Sequence, residues 1–471
     1  MARSCALIMC ALLLSSWTGL SQHPAEGHWE GAITIQGIPL NIRVDIRWAA
    51  DSLRATIDIP QQSAVGLPLV AVRYAAPKLH FELPAGPGLA VFDGTLSGEG
   101  VRGDFRQAGF AGTFQMHRTT MTLRHEVRAE EPVPYRQEEV RFSNAGITLV
   151  GTLTLPVGEG RHPAIVLLTG SGPENRDEEI FGFKIFRIIA DTLTRNGVAV
   201  LRFDDRGVGG SGGVYAQTTT DDYAGDALAA VEFLGQRSDI DRKRVGLFGH
   251  SEGALAAAIA CASSPTIAFA VFMAGPGVRG DSLILSQVEI LGKAAGLDDS
   301  ELQRQLQLQQ RVFDVVRAND GWDSLRRDLS NEILRGYHKA GVREQGGVSV
   351  DSLAQMQSRA QIQGLSTPWF RRFITIEPGA FIRRMHCPLL AMFAEKDMQV
   401  APEINRNRIE EYARAGGVRE LTVKVIPGAN HLFQKAETGH PSEYGGLKKE
   451  FAPGVLGEIV AWVARQTLSG R

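Results

Sequence analysis

From Ile38 onward, Ile38, Leu40, Ile42, Val44, Ile46 and Trp48 alternate with Pro39, Asn41, Arg43, Asp45 and Arg47, the period-2 pattern of a strand with one buried face. Leu53, Ala55, Ile57 and Ile59 repeat it, as do Leu79, Phe81 and Leu83, with the turn clusters "PAGPG" and "SGEG" between such runs. Residues 25–125 are therefore predicted to form a small all-β barrel or sandwich. The stretch around "RAEEPVPYRQEE" is polar, carries two prolines and has no periodicity, so 126–137 reads as a linker.

Beyond the linker the alternation gives way to nearly continuous apolar runs: "AIVLLTG" (164–170), "VAVLRFDD" (198–205), "RVGLFGH" (244–250), "IAFAVFMAG" (267–275) and "PLLAMFAEKD" (388–397). Parallel strands covered on both faces require such runs. Between them, Ile185, Ile188, Ile189 and Leu193 keep helical spacing, and so do Ala224, Ala227, Leu228, Val231 and Leu234. Residues 138–468 thus read as an α/β domain. Between about 280 and 370 the alternation stops in a polar, Gln- and Arg-rich stretch with helical spacing and no strand. It enters between two core strands, where an insertion can overhang the carboxyl ends of a sheet; a helical cap is expected there.

Composition narrows the partners. With 471 residues, 44% hydrophobic, 22% charged and a formal net charge of −2, the chain has material for two cores and no electrostatic footprint for nucleic acid or an anionic membrane. A small neutral or weakly charged molecule is the expected partner; no oligomeric state is implied. At the start, Arg3, the apolar run Ala6–Leu14 and the small residues Gly19 and Ser21 have the layout of a signal peptide over 1–21. The run is shorter than the about 20 residues that span a bilayer, so export to the periplasm or medium is expected, with no stable membrane insertion after cleavage. Met9 is bulky where a lipoprotein box before Cys10 needs a small residue, which argues against lipidation. Cys5 and Cys10 leave with the signal; Cys261 and Cys387 stand in expected buried elements and read as two free core thiols.

The chemistry concentrates in "GHSEG", which fits GxSxG with a strand before it and the small-residue helix "ALAAAIACA" after it. That context makes Ser251 the candidate nucleophile, with Gly249 and Gly253 lacking the β-carbons that so tight a turn excludes. A serine hydroxyl needs a base, and the base an orienting acid. Asp397, closing the strand "PLLAMFAEKD", is the preferred acid over Glu395; His431 in "ANHLF" is the preferred base over His440 in "TGHPSEY". His250 is expected to pack against the sheet. An oxyanion hole needs two converging N–H groups; the residue after the nucleophile, Glu252, supplies one, and Ser171 in "LLTGSGPENRD" the other, with Gly170 and Gly172 turning the backbone toward the substrate. "RFDDRGVGGSGG" lacks phosphate-loop spacing, so Asp204, Asp205 and Arg206 read as a structural turn with the arginine pinning neighbouring loops. His386 beside Cys387 has no second pair at zinc-ligand spacing, so no metal is expected.

"TGSGPENRD", "FDDRGVGGSGG", "GHSEG", "PWFRRFITIEP", "CPLLAMFAEKDMQV" and "NHLFQ", in that order, make the chain from about 138 to 468 resemble the α/β-hydrolase superfamily. The likeness is greatest to its exported bacterial serine esterases, with serine aminopeptidase-like and dienelactone hydrolase-like relatives. The resemblance implies an eight-stranded, mostly parallel sheet with a helical cap, and a Ser251–Asp397–His431 triad that hydrolyses carboxylic esters through an acyl-enzyme without a cofactor. It also implies that "PWFRRF" closes the cap near the site, so that Trp369 and Phe370 line an acyl pocket. One departure is Thr169, where many relatives have histidine. The alternatives are amide or peptide cleavage by the same residues, since fold does not choose the leaving group, and a non-catalytic cell-envelope binding protein whose β-domain holds the ligand.

Overall fold

The computed structural model describes residues 23–119, 133–339 and 349–468, apart from 36–37, 50–51, 60–63, 85–88 and 108–109. The expected signal peptide therefore lies outside the described residues. The first eight strands are β1 (Gly27–Ile35), β2 (Ile38–Ala49), β3 (Ser52–Ile59), β4 (Ala64–Ala75), β5 (Lys78–Pro84), β6 (Leu89–Ser97), β7 (Gly100–Gln107) and β8 (Phe110–Thr119). Each pairs antiparallel with the next, and β1 pairs with β8 through the register Ile33↔Phe114. The sheet therefore closes into a barrel, which removes every edge. The alternation dictates what faces inward: Trp29, Phe81, Phe92 and Phe114 are fully buried and fill the interior.

The second region is built on β9 (Arg136–Asn144), β10 (Ile147–Leu155), β11 (His162–Leu168), β14 (Ala199–Phe203), β15 (Ile240–His250), β16 (Ala270–Met273), β17 (Leu389–Ala394) and β18 (Leu421–Ile426); a small hairpin, β12 (Glu179–Ile180) and β13 (Phe183–Lys184), follows β11. The stretch expected as linker gives its last two residues to β9, because a strand able to pair with β10 starts at Arg136; 126–132 lie outside the described residues. The spatial order is β9-β10-β14-β11-β15-β16-β17-β18. The pairs from β14 through β11 to β18 are parallel, while β9 and β10 add antiparallel at one edge. This is the α/β-hydrolase fold that the resemblance implies, preceded by an all-β domain. Every residue of β14, β16 and β17 is buried, which is why these strands read as unbroken apolar runs.

Helices α1 (Ile185–Arg195), α2 (Thr220–Gly235), α3 (Glu252–Ser263), α10 (Pro402–Ala415) and α11 (Val455–Leu468) connect or flank the strands. α2 begins in a capping box, Thr219 with Asp222. Between β16 and β17 run α4 (Gly280–Ala294), α5 (Asp299–Ala318), α6 (Trp322–Lys339), α7 (Val350–Leu365), α8 (Pro368–Phe373) and α9 (Pro378–Ile382), so the insertion is helical as expected. Cys261 and Cys387 are buried and unbridged. Among the described residues, no helix is long and apolar enough to cross a membrane.

Candidate active site

The chain leaves β15 at His250 and enters α3 at Glu252, and Ser251 makes the corner with φ 51° and ψ −118°. A non-glycine residue held there costs about 1–3 kcal/mol and persists only where the surroundings impose it. The Ser251 N–H donates to the Met273 carbonyl at 2.9 Å, pinning the corner to β16. The two glycines are required by close approach. A β-carbon on Gly249 would sit 2.2 Å from the Gly253 carbonyl carbon, and one on Gly253 would sit 2.1 Å from the Leu168 oxygen. The helix after the serine thus presses directly on β15 and β11, and the side chain of Ser251 projects at the carboxyl end of the sheet, where open α/β sheets bind ligands.

Two further candidates meet at the same edge. His431, in the loop after β18, places Nδ1 2.7 Å from Asp397 Oδ2, with both side chains buried. Asp397 is itself aimed, because Oδ1 accepts the N–H groups of Gln399 and Val400, each at 2.8 Å. A carboxylate only accepts, so the proton of a neutral His431 resides on Nδ1 and its Nε2 lone pair is left for a donor. The His431 ring lies 4.9 Å from that of His250, the residue before Ser251. The rival residues go elsewhere: Glu395 is exposed and accepts from the Gly428 N–H at 2.7 Å, and His440 caps a short turn, accepting from the Ser442 N–H at 3.2 Å.

The loop after β11 passes beside the nucleophile: a β-carbon on Gly170 would stand 3.4 Å from Ser251 Cβ. Its N–H groups are not all turned outward. Gly170 donates to Glu178 Oε1 at 2.7 Å. The Gly170 N–H is thus directed into the protein. Ser171, the next residue, is exposed. Thr169, where a histidine was the family expectation, donates its hydroxyl to Asp205 Oδ1 at 2.8 Å, and the Glu174 N–H donates to Asp205 Oδ2 at 3.0 Å.

Glu252 faces inward: its carboxyl accepts from Thr220 Oγ1 at 2.6 Å and from Trp369 Nε1 at 2.8 and 2.9 Å. Burial pushes its pKa up, against these hydrogen bonds. The indole of Trp369 thus fastens α8 of the cap to the residue after the nucleophile, and its ring stacks on Phe373 with centroids 5.3 Å apart. Phe370 is buried in the core cluster.

Sequence reasoning missed the polar groups under this loop. His250 does not merely pack: its Nδ1 lies 2.8 Å from Glu178 Oε1 and its Nε2 3.1 Å from the His431 carbonyl oxygen, since a buried imidazole must satisfy both nitrogens. Asp205 is also more than a turn residue. Burial pushes its pKa well above the ordinary carboxylate value, opposed by the Thr169 and Glu174 hydrogen bonds. Glu174 is pushed up to about 8, by burial first and then by the neighbouring Glu178. The visible signal was a run of acids, "PENRDEE", inside a glycine loop that starts at a strand end. The rest of the "FDDRG" turn is structural as expected, with Asp204 held by Arg176 at 2.7 Å and Arg206 clamped to Asp226 of α2 at 2.7 and 2.8 Å. Among the described residues, no group of three or more His, Cys, Asp or Glu side chains could hold a metal ion.

Residues 183–357 match the family described as serine aminopeptidase, S33; this stretch holds Ser251 and Glu252 but not Asp397, His431 or the loop at 169–172. The esterase EstD of Thermotoga maritima is 25% identical over 350 residues, covering 73% of this chain and 73% of the relative. The thiohydrolase aneE of Aspergillus aculeatus is 36% identical over 126 residues, or 26% of this chain and 37% of that protein. Among solved structures, the α/β hydrolase GrgF from Penicillium sp. sh18 superposes with a TM-score of 0.43 at 16% identity, covering 71% of this chain and 99% of its own. An esterase of Pyrococcus furiosus superposes with a TM-score of 0.42 at 17% identity, covering 71% and 92%.

Proposed function

We propose that the chain is a serine hydrolase of the α/β-hydrolase superfamily that cleaves small carboxylic esters without a cofactor, a reading supported by the family match, the esterase relative and the sheet order. His431 Nε2 takes the proton of Ser251 Oγ as the oxygen attacks the ester carbonyl, and Asp397 steadies the imidazolium that forms. The N–H groups of Ser171 and Glu252 receive the oxyanion. His431 then returns its proton to the departing alcohol, and a water activated the same way releases the acid from Ser251. The cap, held at Trp369, lies over the acyl side, and Phe370 backs it.

The observation that carries this reading is Ser251 held at φ 51° between a parallel strand and a helix, at the sheet edge where His431 and Asp397 meet at 2.7 Å. A fluorophosphonate probe tests it: wild type is expected to be labelled at Ser251 and Ser251→Ala not at all. No labelling of the wild type would favour the binding-protein alternative. The family description over 183–357 favours a second reading, amide cleavage by the same residues. Turnover of p-nitrophenyl esters of rising chain length against aminoacyl p-nitroanilides separates the two, with ester turnover expected to dominate. We also propose export, supported by Arg3 and the apolar run Ala6–Leu14; N-terminal sequencing of the secreted chain should start at Gln22.

A further inference from the structure

We propose that Glu178 is a positioning residue for this reaction: one buried carboxylate oxygen joins the loop after β11 to the loop carrying His431, by way of His250. The inference rests on the function proposed above, because it assigns Glu178 to the spacing between the oxyanion donors and the base.

Glu178 has no exposed surface, and its backbone is held at φ 46°, so the surroundings impose its placement. Oε1 takes two donors, the Gly170 N–H at 2.7 Å and His250 Nδ1 at 2.8 Å. Oε2 is buried and has no hydrogen-bond partner among the described residues. Beyond the imidazole, His250 Nε2 reaches the His431 carbonyl oxygen at 3.1 Å. That carbonyl can only accept, so Nε2 carries a hydrogen; the carboxylate oxygen, already accepting from Gly170, draws a second hydrogen onto Nδ1. His250 then stands as an imidazolium paired with the Glu178 carboxylate. Burial by itself would push the His250 pKa down, yet Glu178, the His431 carbonyl and Asp397 together push it above its ordinary value.

The consequence is geometric. His431 is fixed at two points, its ring by Asp397 at 2.7 Å and its backbone by His250 at 3.1 Å, and Gly170, one residue before Ser171, is fixed to the same Glu178 oxygen. The nucleophile's neighbour on β15 thus carries the link between the two loops. Glu178 and His250 are too buried to touch substrate, so their effect passes through the groups they hold. A glutamine at 178 cannot replace the carboxylate. With its oxygen toward Gly170, a neutral His250 can donate from one nitrogen only; with its amide nitrogen toward His250, the Gly170 N–H loses its acceptor.

The test uses the full chain, with active serines titrated by fluorophosphonate so that kcat is counted per competent site. Glu178→Gln is expected to lower kcat about 10- to 100-fold, the scale of an angstrom-sized misplacement, with KM within about 2-fold as uniform binding is untouched. Glu178→Gln combined with His250→Gln is expected to be no worse than the more damaging single variant, because the two act as one link. In wild type, selective 15N-histidine NMR at pH 7.5, assigned by signal loss in His250→Gln, is expected to show both His250 nitrogens protonated. Wild-type kcat per titrated site in Glu178→Gln, additive losses in the double variant, or a neutral His250 overturns the inference while leaving the proposed function standing. Absence of labelling in wild type overturns both.

Discussion

The two halves of the chain bury different things. In the barrel, Asp45 is the single polar or charged side chain among the buried residues described, and the interior is aromatic, with Phe92 within 4.6–5.3 Å of the Phe81, Phe105 and Phe114 ring centroids. Under the carboxyl edge of the large sheet, by contrast, Glu178, Asp205, Asp226, His250, Glu252 and His431 are all buried. Burying a charge is costly unless partners are arranged for it, and such arrangements gather where chemistry is done. The barrel is put together as a body whose interior is complete; the sheet edge carries polar groups whose partners must be kept in place.

If that contrast is right, the largest effects come from the sheet edge. Ser251→Ala is expected to lower ester kcat/KM by at least roughly 10⁴-fold, and Asp397→Asn by roughly 10³- to 10⁴-fold because the wrong tautomer of His431 is then favoured; steady-state kinetics on a p-nitrophenyl ester measures both. The barrel should respond in the opposite sense. Phe92→Ala removes a fully buried ring and is expected to cost about 3–5 kcal/mol of barrel stability, read by thermal unfolding, with kcat/KM per titrated site unchanged; a matching loss of activity would break the comparison. Trp369→Phe deletes the hydrogen bond from the cap to the buried Glu252 carboxyl and is expected to cost about 10-fold in kcat/KM, the scale of an unsatisfied buried group.

The smallest effect concerns Glu174, whose carboxyl rises from 4.5 to about 8 on folding. The folded chain keeps a proton there that the unfolded chain sheds, so stability falls as pH rises from about 4.5 to about 8 and is level above it. Glu174→Gln is therefore expected to raise the unfolding midpoint at pH 8.5 by several degrees and to leave it unchanged at pH 4. An equal shift at both pH values would mean that the proton is not the cause.

Much of this architecture is legible in the chain because each pattern has one cheap physical solution. Ile42, Val44 and Ile46 alternate and point inward; "AMFA" in β17 is apolar throughout because both faces are covered; Gly249 and Gly253 announce a corner because nothing larger fits. Whether β1–β8 close or stack as two layers was not legible, since closure depends on β1 meeting β8 some eighty residues on. The Glu178–His250 link was hidden for the same reason. Its members stand 72 positions apart, and an acid in a glycine-rich loop reads as solvent-facing until the sheet brings an imidazole beneath it.

The run of helices from α4 to α9 departs from β16 and returns to β17, which are direct neighbours in register, Met273 beside Met392. Because adjacent strands lie only about 4.8 Å apart, whatever bridges them can be exchanged, lengthened or pared back without altering how the sheet closes its own ladder. Such a bridge is a natural place for molecular diversification. Swapping it between relatives should retune which molecules are turned over while the machinery below stays as it is, provided each replacement reproduces contacts to the body such as Trp369 with Glu252, Arg372 with Asp221 and Gln287 with Gln399.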